Sequence, residues 1–193
     1  MARRKGLTFY QKKKKLNIVV IKEIFSWFFW IFASMLLAVV LVFCIGMQTS
    51  VIGPSMEPSL FNGQKIFLNR LIYKVASPRE GDVIVFLPNG NEKSHYYVKR
   101  VVGVPGDTLY IKNGLLYVND EAVEEYFNDR IAEPGLLGSE VTLGEDEYFV
   151  IGDNCNNSED SRSANIGTVR KSYIIGKAWM KLAAGDSELG LIE

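Results

Sequence analysis

The pattern of apolar and polar residues divides the chain into one long uncharged stretch and a series of short runs typical of β-strands. Residues 24–47 form the uncharged stretch, which has 24 consecutive positions without a charged side chain. About 20 apolar helical residues span the hydrocarbon core of a bilayer, so the stretch predicts one transmembrane helix. Trp27 and Trp30 lie near its N-terminal end, as interfacial anchors do. The length and the absence of a polar face disfavour the alternative of a buried core helix.

A cleaved signal peptide is the second alternative for the same stretch. The apolar core of such a peptide has about 7–15 residues and ends at a small-x-small site. The run here is longer, and no Ala-x-Ala sequence follows it. Cys44 follows Phe43 rather than a small residue, which also disfavours a lipid-modified cysteine. The sequence therefore predicts a signal anchor that is retained in the mature protein.

The remaining residues, 48–193, show a strand pattern and no long amphipathic helix. Asn113-Gly114 separates two short apolar runs and is a strong signal for a tight hairpin. Residues 119–146 are acidic and predict a surface excursion. We therefore expect a mainly β domain built on antiparallel pairing. Strands are predicted for the following β-branched and aromatic runs: 82–86, 96–104, 109–112, 115–118, 148–151, 173–175 and 177–180.

Charge is balanced over the whole chain, with 22 basic and 22 acidic residues, but the two signs are separated. Residues 1–23 carry eight basic residues and one acid, whereas residues 48–193 carry 14 basic and 21 acidic residues. Basic flanks stay on the cytoplasmic side, which predicts a single-pass cell-membrane protein with a cytoplasmic N-terminus and an extracytoplasmic domain. The basic flank also favours contact with anionic membrane lipid. The acidic domain argues against a nucleic-acid partner.

Ser55 and Lys99 are candidate reactive groups. Ser55 lies between Pro54 and Pro58, where a rigid turn can hold a hydroxyl in a fixed pose; an ordinary turn serine is the alternative. Lys99 lies inside an apolar run and shares a strand face with Val101. If that face points inward, burial lowers the pKa of the amine, which can then act as a general base. A solvent-exposed strand lysine is the alternative.

Three other polar features offer weaker chemistry. A Ser-His-Asp triad would have to use His95, the single histidine, which lies in a polar stretch that predicts an exposed loop. Residues 152–162 are rich in Asp and Asn but lack the spacing of a calcium loop, so we predict a polar turn and no metal. We expect Cys155 to be a free thiol, since Cys44 lies in the membrane stretch.

Four stretches together resemble bacterial type I signal peptidases, which are membrane-anchored serine proteases with a Ser/Lys dyad. The stretches are Gly53–Leu60, Gly81–Phe86, Tyr97–Asp107 and Gly152–Arg162, in the order found in that family. The resemblance covers nearly the whole chain, and the length resembles the compact Gram-positive-type members with one N-terminal span. It implies a coiled antiparallel β-sheet catalytic core with a small inserted cap, which we expect over residues 108–146.

The resemblance also implies a role for each matched residue. Ser55 would be the nucleophile, its N–H would contribute to the oxyanion hole, and Lys99 would be the general base. Ser158 would hydrogen-bond and orient the Lys99 amine. Supporting charged residues and the candidate lining of the substrate pockets complete the set. Arg100 and Asp153 would form a supporting ion pair, Asp160 and Arg162 would hold the last motif, and the pocket candidates are Met56, Leu60, Val51, Tyr97 and Val98.

The implied activity is removal of N-terminal signal peptides from secretory preproteins after small-x-small sites such as Ala-x-Ala. The resemblance implies that the protein acts at the outer face of the cell membrane, near the secretion translocon, and that it uses no cofactor. Some relatives have a serine two residues before the nucleophile that completes the oxyanion hole. Here that position is Gly53, so the sequence does not identify the second donor. The alternatives are a self-cleaving Ser/Lys protease of the SOS-repressor type and a catalytically silent anchored scaffold.

Overall fold

A computed structural model describes residues 18–127, 129–183 and 188–192, and the chain divides into two units between residues 40 and 41. The described part of the first unit is helix α1 (Ile18–Ile45), and over residues 18–41 its side chains are largely exposed although most are apolar. Within it, Ile18–Leu41 is long and apolar enough to cross a membrane by length and composition. Most of the basic N-terminal segment lies outside the described residues.

The bounds of helix α1 differ from the predicted stretch 24–47. The helix begins at Ile18, because Lys22 and Glu23 are residues that favour helix and their charges do not interrupt it. It ends at Ile45, one residue before Gly46, and Met47 already lies in the first strand. The uncharged run therefore located the apolar part of the helix but predicted neither its first nor its last residue.

The second unit is mainly β, as predicted, and its described residues form two antiparallel sheets, one short α-helix, α2 (Ile72–Val75), and four single-turn 3-10 helices. Several strands correspond to the predicted runs, and the two runs 173–175 and 177–180 join into one strand. The strands are β1 (Met47–Ser50), β2 (Lys65–Asn69), β3 (Val83–Phe86), β4 (Tyr97–Gly103), β5 (Thr108–Lys112), β6 (Leu115–Val118), β7 (Glu121–Val123), β8 (Val141–Thr142), β9 (Glu147–Ile151), β10 (Val169–Arg170), β11 (Ile174–Lys181) and β12 (Gly190–Leu191).

The larger sheet has the strand order β1-β2-β11-β3-β4-β9-β10, with β12 also paired to β11. Every pairing is antiparallel. Shifts of register interrupt three of the pairings, between β11 and β2, β11 and β3, and β4 and β9. Such bulges bend the strands and increase their twist, which curls the sheet. Strand β4 lies between β3 and β9 and is buried from Val98 to Gly103.

The smaller sheet has the order β7-β6-β5-β8 and occupies residues 108–142, inside the range expected for the inserted cap. Its central hairpin joins β5 to β6 through the predicted turn, in which Asn113 and Gly114 both have positive φ, at 54° and 77°. That conformation matches the twist of paired strands. An apolar cluster that includes Leu109, Leu116 and Phe149 packs the two sheets against each other.

Strands β1 and β2 were missed by the sequence pattern. Strand β1 pairs with β2 from Met47↔Leu68 to Ser50↔Lys65, and both have alternating exposure. Each is only four or five residues long, and Met47-Gln-Thr-Ser50 has little of the β-branched character that marks the other strands. Long-range pairing within the sheet, not local propensity, determines this edge.

Candidate active site

Ser55 and Lys99 meet in the interior of the second unit. Lys99 lies in the central strand β4 opposite Ile84 of β3, and its Nζ donates a hydrogen bond to Ser55 Oγ at 2.6 Å. Only 4% of Lys99 and 8% of Ser55 is exposed to solvent. Lys99 therefore faces inward, and of the two alternatives that the sequence left open the exposed strand lysine is excluded.

Burial changes the acid–base chemistry of the Lys99 amine. Removal from water disfavours the charged form and lowers its pKa from 10.5 to about 8. The carboxylates of Asp160, Glu159 and Asp153 act in the opposite direction and moderate the shift. The Tyr97 ring centroid lies 5.6 Å from Nζ. A substantial fraction of Lys99 is therefore neutral near pH 8 and able to accept a proton.

The loop that holds Ser55, called the serine loop (residues 53–60), is shaped by hydrogen bonds from its backbone N–H groups. Gly53 has a φ of +81°, a conformation that glycine adopts at little cost, and its N–H donates to Asn62 Oδ1 at 2.9 Å. The Glu57 N–H donates to the Pro54 carbonyl at 3.1 Å, closing a turn around the serine. The Ser55 N–H donates none of these bonds. The Gly53 N–H is thus already paired to a side chain.

Gly152 lies directly against this loop, and the sequence reasoning gave it no role. A Cβ built on Gly152 would overlap the Ser55 carbonyl oxygen and Ser158 Oγ. The Gly152 N–H donates to Asp160 Oδ2 at 3.2 Å, which fixes the backbone here. Close approach of the 152–162 segment to the serine loop therefore requires glycine. The first position of the Gly-Asp-Asn motif carried this signal, but its contact is visible only in three dimensions.

The predicted ion pair between Arg100 and Asp153 is present and buried. Arg100 Nε and Nη2 donate to the two carboxylate oxygens of Asp153 at 2.9 and 2.7 Å. Arg100 Nη1 donates to the Gly81 carbonyl at 2.9 Å, and its guanidinium lies 5.2 Å from the centroid of the Tyr126 ring. Arg100 adjoins Lys99 in β4, so the pair ties the 152–162 segment to the strand that carries the lysine.

Removing one partner of this pair is expected to be strongly destabilising. We expect Arg100→Met to lower the free energy of unfolding of the β domain by about 3–5 kcal/mol, because it leaves a buried Asp153 carboxylate without its counter-charge. Urea unfolding of the full chain in lipid nanodiscs, followed by tryptophan fluorescence, measures the change.

Lys177→Met is the matched control for Arg100→Met, because it also removes the positive partner of an ion pair. Lys177 forms an ion pair with Asp82 at 2.5 Å, but 30% of its side chain is exposed. Asp82 would keep its bonds from the Tyr73 hydroxyl and the Arg79 N–H. We expect a loss below about 1 kcal/mol for this variant. Equal losses from both variants would contradict the importance of burial.

Asp160 and Arg162, which were expected to hold the last motif, form a second buried ion pair. Arg162 Nε and Nη2 donate to the two Asp160 oxygens at 2.8 and 2.9 Å, and both side chains are buried. Arg162 Nη1 donates to the Glu133 carbonyl at 3.2 Å, and Nη2 also donates to the Cys155 carbonyl. The guanidinium therefore connects the last motif to residues that follow the smaller sheet's hairpin.

The predicted hydrogen bond between Ser158 and Lys99 is not formed in this structure. Ser158 Oγ is buried and has no hydrogen-bond partner among the described residues. It lies beside Gly152, and the Lys99 amine donates instead to Ser55. The expectation for Ser158 was therefore wrong for this geometry.

The candidates for the substrate pockets separate into two groups. Four of them pack together in one apolar cluster and are almost fully buried: Val51, Met56, Leu60 and Val98. Tyr97 retains an exposed part beside Lys99, and its hydroxyl donates to Glu159 Oε2 at 3.4 Å. Ile52 and Phe61 flank the serine loop in sequence and are exposed apolar residues, at 61% and 39%, that the sequence reasoning did not select.

The remaining polar candidates take no part in the contact between Ser55 and Lys99. His95 is exposed in a loop, as predicted, and forms no triad with Ser55. Cys155 is a buried free thiol, as expected, and burial raises its pKa. Within the described ranges, no group of three or more His, Cys, Asp or Glu side chains could hold a metal ion.

Comparison with known proteins identifies the family. The family model described as signal peptidase, peptidase S26, matches residues 24–183. The chain belongs to the signal peptidase family. This signal peptidase is 36% identical over 178 residues to signal peptidase I P of Bacillus subtilis subsp. natto, with 86% of this chain and 89% of that protein covered. It is 34% identical over 173 residues to signal peptidase I S of Bacillus subtilis strain 168, with 84% and 91% covered.

A crystal structure of a signal peptidase I from Enterococcus faecalis V583 also matches, with 28% identity and a TM-score of 0.44. The match covers 53% of this chain and 97% of that one. The family confirms the resemblance drawn from the four motifs. The protein is therefore a serine peptidase, a hydrolase that cleaves signal peptides from preproteins. The N-terminal apolar helix fits a membrane-anchored protein.

Proposed function

We propose that this signal peptidase works through a Ser55/Lys99 dyad and cuts secretory preproteins after small-x-small sites such as Ala-x-Ala. The observation that carries the proposal is the 2.6 Å hydrogen bond between Lys99 Nζ and Ser55 Oγ in the protein interior. A nucleophile needs a base within hydrogen-bond reach, and the base needs a pKa near the working pH. The lowered pKa of Lys99, about 8, meets the second requirement.

Acylation begins when neutral Lys99 takes the proton of the Ser55 hydroxyl. Ser55 Oγ then attacks the carbonyl carbon of the scissile bond, and the carbonyl oxygen becomes an oxyanion. The Ser55 N–H is the proposed donor to that oxyanion. The Lys99 ammonium returns its proton to the leaving amine as the peptide C–N bond breaks. The mature protein departs, and the signal peptide remains bound to Ser55 as an ester.

Deacylation repeats the same proton transfers with water as the nucleophile. Lys99 takes a proton from the water, the hydroxide adds to the ester carbon, and the proton passes to Ser55 Oγ as the C–O bond breaks. The base returns to the neutral form after each half-reaction. The buried pairs of Arg100 with Asp153 and of Asp160 with Arg162 support the proposal, because they hold the two backbone segments that border the dyad.

A preference for small side chains is supported by the packing of the pocket candidates. The side chains of Met56, Leu60 and Val98 are nearly inaccessible and pack together in one apolar cluster. A substrate strand over this cluster would find shallow depressions, which accept alanine-sized side chains. We propose that Met56 and its neighbours limit the depth of the pockets, while the exposed part of Tyr97 contacts the substrate beside Lys99.

The anchor would bring the dyad and its substrates to the same surface. Ser55 follows the end of helix α1 at Ile45 by ten residues, so it lies within about 35 Å of the helix end even for a fully extended chain. A preprotein whose signal peptide is inserted in the membrane would present its cleavage site close to the membrane surface, within reach of Ser55. We propose a single-pass topology with a cytoplasmic N-terminus, an extracytoplasmic peptidase domain, contact with membrane lipid and a place near the translocon.

Ser55→Ala is expected to abolish cleavage of a purified preprotein with an Ala-x-Ala site. The loss should be at least about 10³-fold, since among the described residues Ser55 alone places a hydroxyl within hydrogen-bond distance of the Lys99 amine. Cleavage is measured by gel assay with the full chain in lipid nanodiscs, and Ser139→Ala in the smaller sheet's region serves as control. Full activity of Ser55→Ala would refute the dyad. If the unmodified enzyme cleaved only itself and not the preprotein, the self-cleaving alternative would be favoured.

The rate should rise with pH through the titration of Lys99. Because the neutral amine is the active form, kcat is expected to be low below pH 7 and to reach a plateau above pH 9, with a midpoint near the lowered pKa of about 8. A series of single-turnover assays between pH 6 and pH 10 measures the profile. A midpoint near 6.5 would indicate a histidine base, and the His95→Ala variant would identify it.

A further inference from the structure

Asn154 contacts the serine loop through both its side chain and its backbone. Its Nδ2 donates to the Pro54 carbonyl oxygen at 3.2 Å, and its backbone N–H donates to the Ser55 carbonyl oxygen at 3.0 Å. A carbonyl oxygen can only accept a hydrogen bond, so the amide nitrogen of Asn154 must face Pro54. One residue therefore holds the peptide groups on both sides of Ser55.

The bond to Pro54 has a direct consequence for the neighbouring N–H. The Pro54 carbonyl and the Ser55 N–H belong to one peptide group, and the cis peptide bond of this loop is a different one, Glu57-Pro58. In a planar trans peptide the C=O and N–H bonds point in opposite directions. Fixing the carbonyl direction therefore fixes the N–H direction. A hydrogen bond to the carbonyl also polarises the group and strengthens the N–H as a donor.

Asn154 connects this peptide group to the rigid part of the site. The Glu57 N–H also reaches the Pro54 oxygen, but it belongs to the same loop and moves with it. Asn154 instead follows Asp153, which is held by the buried Arg100 of β4 next to Lys99. The Asn154 carbonyl accepts the Asn157 N–H at 2.9 Å, which fixes the residue further. The serine loop is thus positioned relative to the strand that carries the base.

We propose that Asn154 is a positioning residue that directs the Ser55 N–H at the oxyanion of the transition state. The inference rests on the proposed role of Ser55 as nucleophile and deepens it, by naming the group that orients the oxyanion donor. Gly53 cannot supply a side-chain donor, and its N–H is paired with Asn62. Because Gly53 supplies neither donor, stabilisation of the oxyanion depends more strongly on the alignment of the Ser55 N–H.

A peptide aldehyde tests the proposal, because its adduct contains an oxyanion at the position of interest. Ser55 Oγ adds to the aldehyde carbon, the Ser55 proton passes to Lys99, and the carbonyl oxygen becomes the hemiacetal oxyanion. The same peptide ending in a primary alcohol binds without this adduct. The ratio of the two dissociation constants isolates oxyanion stabilisation from peptide binding. Both probes end in an Ala-x-Ala sequence, and the enzyme is the full chain in nanodiscs.

Asn154→Leu keeps the approximate shape of the side chain and removes its donor. We expect the preference for the aldehyde over the alcohol to fall at least about tenfold, with kcat about 10- to 100-fold lower. KM and the midpoint of the pH–rate profile should stay within twofold, since neither peptide binding nor the Lys99 amine is changed. A purely structural role would instead lower the active fraction and leave the preference of the folded enzyme intact.

Asn156→Leu is the matched control. Asn156 also makes two side-chain bonds to backbone, with the Arg130 carbonyl and the Ala132 N–H, but does not contact the serine loop. Its aldehyde preference should be that of the unmodified enzyme. If Asn154→Leu does not fold, Asn154→Ala supplies the test, because it removes the donor without adding a charge. An aldehyde preference within twofold of the unmodified enzyme in the folded Asn154 variant would overturn the inference.

Ser55→Ala separates this inference from the proposed function. It cannot form the adduct, so it should bind aldehyde and alcohol equally. If Ser55→Ala keeps the preference, the proposed nucleophile is wrong and the role of Asn154 fails with it. If Ser55→Ala loses the preference while Asn154→Leu keeps it, the nucleophile stands and the role of Asn154 alone is refuted.

Discussion

Lys99→Met is expected to lower the rate of preprotein cleavage by about 10³-fold or more while the protein remains folded. Methionine has nearly the length of lysine and fits a buried site, so the packing of strand β4 should survive. The variant lacks the amine that lies 2.6 Å from Ser55 Oγ, and no other base contacts that hydroxyl in the described part of the chain. Without proton removal the hydroxyl is a weak nucleophile.

The measurement is single-turnover cleavage with the full chain in nanodiscs at pH 9, together with thermal unfolding. Lys99→Arg should be equally inactive, because a guanidinium stays protonated and cannot act as a base. Lys112→Met, at the exposed end of β5, is the control and should keep full activity. If Lys99→Met retained more than a tenth of the activity, Lys99 would not be the general base.

Gly152→Ala is expected to cause the second large loss, about 10²- to 10³-fold in kcat, by displacing the nucleophile. The added Cβ would overlap the Ser55 carbonyl oxygen and Ser158 Oγ, so the serine loop and the 152–162 segment must separate. The displacement also strains the bond from the Asn154 N–H to the same carbonyl. A misplacement of about 1 Å is enough for a loss of this size.

Gly138→Ala is the control for Gly152→Ala. Its Cβ would meet only the Pro134 side chain, at 3.6 Å, which is an ordinary van der Waals contact. Activity and the unfolding midpoint are measured for both variants. We expect Gly138→Ala to behave like the unmodified enzyme and Gly152→Ala to lose activity and stability together. Normal activity of Gly152→Ala would mean that the loop tolerates a shift of its anchoring segment.

Much of the fold followed from local sequence patterns. The apolar stretch identified helix α1, although its ends came from helix propensity and from Gly46 rather than from the uncharged run. The Asn113-Gly114 hairpin and strands β3, β4 and β9 were predictable because β-branched runs and turn residues act over a few positions. Strands β1 and β2 were not, since their short segments become strands through pairing with each other and with β11.

The candidate site was predictable in its chemistry and not in its contacts. The sequence by itself determined which residue types were available: a serine held between prolines, a lysine in an apolar run, and the charged residues that pair around them. Only the tertiary structure decided that Lys99 faces inward, that Ser158 lies against Gly152, and that Asn154 holds both peptide groups around Ser55. The contacts of Lys99 with Ser55 and of Asn154 with Pro54 join residues 44 and 100 positions apart, and their geometry depends on packing, which local sequence does not encode.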